Sequence, residues 1–144
     1  MFSKACSYAI KASVFIAQAA LQNKQTQLKE IAEATNSPEA FMAKILQKLV
    51  KHDIIISHRG AKGGFTIPNK RLPRILLKDI VIAIDGDKIY NGCVLGFETC
   101  SDAKPCAIHH HIKAARKDIK KVLTTTTLED LANDVEDELA FLKE

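Results

Sequence analysis

Apolar residues recur at helical spacing in six segments of the chain. The first stripe runs over residues 4–21, and a short second helix is predicted from Leu28 onward with Thr26 as its N-cap. Ser37 and Pro38 predict the start of a third helix, because serine accepts hydrogen bonds from free backbone N–H groups and proline suits the first helical position. The inward positions predicted for these three helices are Tyr8, Ala9, Ala12, Phe15, Ile16, Ala19, Leu28, Ile31, Ala32, Phe41, Met42, Ile45, Leu46 and Leu49.

A two-stranded ribbon is predicted after the third helix. The β-branched run Ile54-Ile55-Ile56 indicates its first strand, and Phe65-Thr66-Ile67 indicates its second. Residues 59–64 between them, Arg-Gly-Ala-Lys-Gly-Gly, form a glycine-rich turn with two basic side chains. Helix, tight turn, helix and basic ribbon in this order predict a winged helix-turn-helix domain over residues 1–75. The alternative is a structural helical hairpin followed by an ordinary hairpin turn.

The second half of the chain, residues 76–144, is predicted to be helical around a long loop. A fourth helix runs from Leu76 to Asp85 and ends at Gly86, and residues 87–105 form the loop. A long helix begins near Cys106, and its apolar residues recur at alternating spacings of four and three, which is typical of a coiled coil. This seam consists of Ile108, Ile112, Ala115, Ile119 and Val122.

A narrow seam on a long helix needs a partner helix. A second copy of the chain would supply one, so the sequence predicts a two-fold homodimer, and the alternative is packing against its own domain. Thr127 and Asp130 then resemble a capping box that opens a last helix. Its predicted inward residues are Leu131, Val135, Leu139 and Leu142. The predicted fold class is mostly α with a small β-wing, a winged helix-turn-helix domain plus a long dimerisation helix.

The 144 residues carry a formal net charge of +4, and the distribution of this charge is more informative than its size. Residues 41–74 hold eight lysines and arginines against one acid, whereas residues 128–144 hold seven acids against one lysine. A basic middle beside an acidic end indicates one face for a polyanion such as DNA. The alternative is a solvated surface with uneven charge.

The third helix and the ribbon tip provide the candidate DNA contacts. An α-helix fits the major groove, where its N-terminal residues read base edges. The residues predicted to do so are Ser37, Glu39, Ala40, Ala43 and Lys44. Lys48 is predicted to lie at phosphates. Arg59 and Lys62 flank glycines at the ribbon tip, and an arginine there can enter a narrow minor groove.

Three of the four cysteines, Cys93, Cys100 and Cys106, fall within 14 residues, and His109 follows shortly after. In a cytosolic chain, clustered cysteines indicate metal or redox chemistry before structural disulfides. Thiolates and imidazole bind iron–sulphur clusters and also zinc. A thiol redox switch and a loop with inert cysteines are the remaining interpretations. Cys6 stands alone and is predicted to be a buried helix cysteine.

From Ser3 to about residue 131 the chain resembles the Rrf2 family of bacterial transcription regulators. The resemblance rests on Tyr8-Ala9, on residues 28–32 and 45–49, on the glycine turn with Phe65, and on residues 79–86, Asp-Ile-Val-Ile-Ala-Ile-Asp-Gly. It implies a homodimer that binds double-stranded DNA at an imperfect palindrome, usually as a repressor. It also implies that the two long helices cross to form the dimer.

In IscR-like members of this family, three cysteines and a histidine of this loop hold a [2Fe–2S] cluster, and its loss or oxidation changes DNA affinity. The resemblance therefore implies an iron–sulphur cluster with Cys93, Cys100, Cys106 and His109 as ligands. In NsrR-like members the fourth ligand is a carboxylate from the first helix of the other subunit. The matching position here is Ser7, and the adjacent Cys6 is the alternative fourth ligand.

The sequence favours a binding protein over an enzyme. It has no nucleophile elbow, P-loop, dinucleotide fingerprint or zincin helix, and a Cys–His pair on adjacent helical turns lacks a third group to orient it. It also has no apolar stretch long enough to span a membrane, and its first residues lack the order of a signal peptide. We therefore expect a cytoplasmic bacterial protein with no membrane partner and no catalytic residues.

Overall fold

A computed structural model of the chain describes residues 1–136 and 142–143. It confirms a mostly helical fold with one small antiparallel sheet. Leu139, predicted on the last helix, lies outside the described residues. None of the described helices is both long and apolar enough to cross a membrane. In chain order the elements are α1 (Lys4–Leu21), α2 (Leu28–Ala34), α3 (Glu39–Lys51), β1 (Ile56–His58), β2 (Gly64–Thr66), a 3-10 helix (Asn69–Arg74), α4 (Leu77–Asp85), α5 (Lys88–Asn91), α6 (His109–Thr125) and α7 (Leu128–Glu136).

Helix α1 forms the centre of the fold. The Ser3 hydroxyl caps it by accepting from the backbone N–H of Cys6 at 3.0 Å, and the Ser3 N–H donates to the Asp85 carboxylate at 2.9 Å. Helices α2, α3, α4 and α7 all pack against α1. Its buried residues are Cys6, Ala9, Ala12, Ser13, Val14, Ile16, Ala17 and Ala20. Because most of these side chains are small, the neighbouring helices can approach closely.

Two N-cap predictions in the helix pair are wrong. Thr26 does not cap α2, because its backbone pairs with Phe65 of β2 through hydrogen bonds of 3.0 and 2.7 Å. Ser37 does not cap α3, because its hydroxyl bonds with that of Thr35 at 3.0 Å and the helix begins after Pro38. Both residues instead tie the connections between the helices to neighbouring structure.

The ribbon forms as predicted, but its strands are shorter and shifted. β1 pairs antiparallel with β2, with Ile56 opposite Thr66. The first strand begins only at Ile56, because Ile54 and Ile55 are buried in the core as the chain leaves α3. The β-branched run therefore serves packing first and strand pairing second.

A short backbone joint links the two halves of the chain. The Leu77 N–H donates to the Thr126 carbonyl at 2.9 Å, and the Leu128 N–H donates to the Ile75 carbonyl at 2.8 Å. These bonds attach the corner between α6 and α7 to the start of α4. The position of α6 is thus tied to the segment that leaves the ribbon.

Helix α6 begins at His109, after a turn in which the His109 N–H donates to the Cys106 carbonyl at 3.0 Å. Cys106 therefore lies outside the helix, and the predicted start near Cys106 is three residues too early. Along the predicted seam, Ala115 and Val122 are exposed, while the neighbouring Leu123 is buried against α4. The chain's own described residues leave part of the seam uncovered.

The capping box that opens α7 is confirmed. The Asp130 N–H donates to the Thr127 hydroxyl at 3.0 Å, and the Thr127 N–H donates to the Asp130 carboxylate at 2.9 Å. Behind this cap, Leu128 and Ala132 are fully buried, and α7 packs along α1. The acidic last helix is therefore part of the folded body.

Replacing Thr127 by Ala removes the hydroxyl that caps α7, so we expect the free energy of unfolding to fall by about 1 kcal/mol. Urea denaturation followed by circular dichroism measures this change. Thr125→Ala is the matched control, because the Thr125 hydroxyl donates only within α6, to the Lys121 carbonyl. Equal losses in the two variants would contradict a specific cap.

The same cap has a pH signature. The backbone N–H of Thr127, followed by its hydroxyl, holds the pKa of Asp130 below its usual range. The stabilisation is therefore present above the unfolded pKa of this carboxyl and is lost as the pH falls through its lower folded value. Because the Thr127 hydroxyl contributes to this lowered pKa, the loss of unfolding free energy in Thr127→Ala should be smaller in acid than at neutral pH.

Candidate functional site

The exposed face of α3 carries most of the residues predicted to read DNA. The structure exposes Glu39, Ala40, Lys44 and Lys48, and leaves Ser37 and Ala43 half-buried. The opposite face is anchored in the core by Met42, Ile45, Leu46 and Leu49. Because the apolar face is fully packed, the polar face is held in a fixed orientation.

The ribbon tip presents the other two predicted DNA contacts, Arg59 and Lys62, which are both exposed. Its turn requires glycine at two positions. Gly60 has a φ of +100°, and a Cβ on Gly63 would overlap the His58 carbonyl oxygen. Neither basic side chain forms a salt bridge within residues 1–136 and 142–143. The tip is therefore a tight turn with free positive charge.

The C-terminal end of the described chain lies near the start of α3. The Lys143 Nζ donates to the Glu33 carbonyl at 3.3 Å, and it lines a shallow pocket together with Ser37 and Glu39. Sequence reasoning left open whether the acidic end packs on the body of the protein. The contact at Lys143 brings residues 142–143 close to the start of α3.

The three loop cysteines come together in space. The Sγ atoms of Cys93, Cys100 and Cys106 lie within 4.8 Å of one another. All three are free thiols and half-buried. The three cysteines that are clustered in the sequence therefore also form one compact group of sulphur atoms in the structure.

His109 lies beside this group at the first position of α6. Its Nδ1 is 3.1 Å from the Cys100 Sγ, and its Nε2 is 3.1 Å from a carboxylate oxygen of Asp102. Lys113 donates to the same carboxylate at 2.7 and 2.8 Å. The imidazole is therefore held from one side by a carboxylate and presents its other nitrogen to a thiol.

Asp102 and Lys113 were missed at the sequence level. The sequence predicted that Cys106 and His109 lie on adjacent turns of one helix without a third group to orient them. In the structure Cys106 lies outside α6, the His109 Nδ1 faces Cys100, and Asp102 orients the imidazole. A signal existed in the position of Asp102 two residues after Cys100, and of Lys113 one helical turn after His109. The loop conformation that brings them together has no pattern in the sequence.

Two of the loop thiols, Cys93 and Cys100, differ in acidity. Although burial raises the pKa of Cys93, hydrogen bonds from the backbone N–H groups of Phe97 and Leu95 and from the neighbouring thiols bring it down to about 7. The backbone N–H of Cys106 lowers the pKa of Cys100, but burial and the other two thiols outweigh it and raise that pKa overall. Cys93 is therefore ionised more readily than Cys100 near neutral pH.

Cys6 lies elsewhere, in an apolar cluster with Leu77, Val81 and Leu123. Burial, followed by the charge of Asp85, raises the pKa of the Cys6 thiol to about 12. Within the described chain it is therefore a buried, unreactive thiol, as the sequence suggested.

The donor set fits an iron–sulphur cluster. Three thiols converge, and the adjacent imidazole directs Nδ1 toward them. A carboxylate bound to the other ring nitrogen is the usual way in which a ligating histidine is oriented and its tautomer fixed. The backbone N–H groups that favour the Cys93 thiolate also favour its role as a ligand.

Comparison with known proteins decides the family. The sequence profile of the Rrf2 family, described as "Iron-dependent Transcriptional regulator", matches residues 2–134. The chain belongs to the Rrf2 family. Among Rrf2 relatives, the HTH-type transcriptional regulator NsrR of Oceanobacillus iheyensis is 29% identical over 96% of this chain and 94% of its own.

Two solved Rrf2 structures are similar over nearly the whole chain. CymR, titled the global cysteine regulator of B. subtilis, superposes with a TM-score of 0.76 and 28% identity, covering 92% of this chain and 96% of its own. IscR of T. potens gives a TM-score of 0.72 and 25% identity, covering 97% and 91%. These similarities confirm the winged helix fold, and the relatives are named as transcriptional regulators.

The different thiol environments predict the order of alkylation. Under reducing conditions, iodoacetamide should modify Cys93 before Cys100, and the rate at Cys93 should rise with pH around a midpoint of about 7, because only the thiolate reacts. Cys6 should stay unmodified until the chain unfolds. Mass spectrometry of quenched time points measures both rates, and labelling of Cys6 as fast as Cys93 would contradict the described burial.

Proposed function

We propose that this Rrf2 protein is a sequence-specific DNA-binding regulator that acts as a homodimer on an imperfect palindrome, as a repressor in the cytoplasm where bacterial DNA lies. The observation that carries this proposal is the exposed face of α3, followed along the chain by a glycine turn whose two cations form no salt bridge with the described residues. Both belong to one domain, whose basic segment, residues 41–74, has a single acid. Such a surface supplies groove and backbone contacts at once.

The residues of this surface have different roles in the proposal. Ser37, Glu39, Ala40, Ala43 and Lys44 face base edges from the first turns of α3. Lys48, further along the helix, binds phosphate, which adds affinity without sequence information. Arg59 and Lys62 enter or flank the minor groove from the ribbon tip.

The uncovered seam of α6 supports the dimer. Val122 is 54% exposed, and Ile82 on α4, the helix that packs against α6, is 40% exposed. A second copy of the chain would cover these apolar side chains across a two-fold axis. Two recognition helices related by that axis would read two half-sites about 34 Å apart, which is one turn of DNA.

We propose further that the cysteine site gates DNA binding by holding an iron–sulphur cluster, of the [2Fe–2S] type. Cys93, Cys100, Cys106 and His109 would be its ligands, with Asp102 positioning His109. When bound, such a cluster supplies one-electron redox chemistry and sensitivity to oxidants. The chain's own part is to fix the loop between α5 and α6, and the joint of Leu77 and Leu128 connects α6 to the DNA-binding half.

A thiol switch is the second candidate for gating. It is supported by free thiols within 4.8 Å of one another and by the pKa of Cys93 near 7, since a thiolate is the form that reacts with oxidants. The similar structure titled as a cysteine regulator adds to this support. In this case two loop thiols would form a disulfide, giving two electrons and two protons to the oxidant.

Selection from random duplexes tests the DNA-binding proposal. We expect an enriched palindrome with two half-sites. Lys48→Ala should weaken binding to every duplex and reduce the salt slope by about one, because one phosphate contact is lost. Lys121→Ala, on exposed α6, is the charge-matched control. Recovery of no motif, with weak and purely salt-dependent binding, would mean that the chain is not a sequence-specific regulator.

Purification without oxygen tests the cluster. Visible absorbance with stoichiometric iron and sulphide is expected, with loss in Cys93→Ala, Cys100→Ala and Cys106→Ala. His109→Ala should alter the spectrum, whereas Cys6→Ala should retain it, and the reverse pattern would assign the fourth ligand to Cys6. A colourless, iron-free chain even after anaerobic reconstitution would remove the cluster and leave the thiol switch.

A further inference from the structure

A basic pocket of about 450 Å³ lies beside the cysteine loop, along α6. Its size falls within the range of small-molecule sites, roughly 300–1,000 Å³. One aromatic residue, Tyr90 of α5, forms part of its wall. Four cations of α6 line it, namely Lys113, Arg116, Lys117 and Lys120.

Most of this positive charge has no counter-ion in the described part of the chain. Asp102 is the one carboxylate that lines the pocket there, and it pairs with Lys113 at 2.7 Å. Lys117 and Lys120 are exposed and form no salt bridge with any described residue. Three of the cations that line the pocket therefore have no ion-pair partner among residues 1–136 and 142–143.

Arg116 gives the second, independent observation. Its Nε is shielded from solvent and has no hydrogen-bond partner among the described residues. A shielded donor without a partner is costly, so such groups are usually satisfied by an acceptor from protein, water or ligand. The guanidinium fork suits the oxygens of a carboxylate or a phosphate.

We propose that this pocket binds a small multivalent anion of the phosphate or polycarboxylate class. Arg116 supplies the directed donors, and Lys117 and Lys120 supply charge from the rim. Lys120 is held there by Tyr90, because its Nζ lies 5.6 Å from the ring centroid. The binding step stands on the pocket alone and does not depend on whether the chain binds DNA or a cluster.

The pocket stays accessible in the proposed dimer. Successive residues of an α-helix are separated by about 100°, so Lys113, Lys117 and Lys120 lie on a flank of α6 beside the seam of Ile112 and Ile119 rather than on it. The proposed DNA contacts lie on α3 and the ribbon. A small anion, and not a partner helix or a duplex, is therefore the occupant that this position favours.

Anion binding would reach the cysteine site through Lys113, and this step rests on the proposed gating function. Lys113 holds Asp102, Asp102 holds the Nε2 of His109, and the His109 Nδ1 faces Cys100. An anion that attracts Lys113 competes with Asp102 for it. The imidazole then loses part of the support that directs it to the thiols.

Isothermal titration calorimetry of the full chain with sodium phosphate and, separately, sodium citrate tests the binding step, with sodium chloride of equal ionic strength as the blank. We expect saturable binding of at least one anion. The anion that binds with the higher affinity shows whether the pocket prefers phosphates or polycarboxylates. Arg116→Gln with Lys120→Gln should weaken it about tenfold, which corresponds to about 1.4 kcal/mol. Lys104→Gln with Lys121→Gln removes the same charge outside the pocket and should leave the affinity nearly unchanged.

Three outcomes overturn the proposal. These are the absence of saturable heat with both anions, equal weakening in the two double variants, and loss of DNA affinity in the pocket variant alone without any small-anion binding. The last would assign the pocket to the DNA backbone.

Iodoacetamide labelling of Cys100 tests the connection to the cysteine site. The connection is supported if saturating anion changes the labelling rate of Cys100 in the wild-type chain and not in Lys113→Gln. An unchanged labelling rate in the wild-type chain overturns the connection, and calorimetry alone then decides whether the anion binds.

Discussion

The burial of α1 is the constraint on which the rest of this structure depends. Four helices from both halves of the chain pack on it, and its small side chains allow them to do so at close range. Burying a single isoleucine side chain such as Ile16, which is fully buried, stabilises the folded state by roughly 1.5–3 kcal/mol. Because α7 packs on the same helix as α3, the C-terminal half and the DNA-binding half form one body. A change at the cysteine loop therefore acts on a connected framework.

The chemistry of the loop is organised by a single imidazole. His109 lies between the Cys100 thiol and the Asp102 carboxylate, and Lys113, which lines the basic pocket, donates to the same carboxylate. The arrangement serves either gating mechanism, since the ring can be a ligand in one and a proton acceptor in the other. What distinguishes the two is the state of the three sulphur atoms, which lie close together although the pKa of Cys93 is lowered and that of Cys100 is raised.

The sequence predicted the helices and the ribbon because their apolar periodicities are long and their turns rich in glycine. It predicted the capping box of Thr127 because that motif is local. It failed at Thr26 and at the start of the first strand, where contacts distant in the sequence decide the conformation. It also failed at Ser37, whose hydroxyl bonds with that of Thr35 instead of capping α3. The three thiols were predictable as a group from their spacing, whereas the contact of Asp102 with His109 was not, because loop conformation sets the position of Asp102 and no periodic pattern encodes it.

The pairing of Thr26 with Phe65 limits how this protein can respond to a signal. Two backbone hydrogen bonds between Thr26 and Phe65 join the ribbon to the connection between α1 and α2. The angle between the ribbon and α3 is therefore fixed within each chain. A signal at the loop then has little power to open or close the wing against the reading helix. In the proposed dimer, such a signal would therefore change DNA binding by altering the distance and tilt between the two protomers and not the shape of either one.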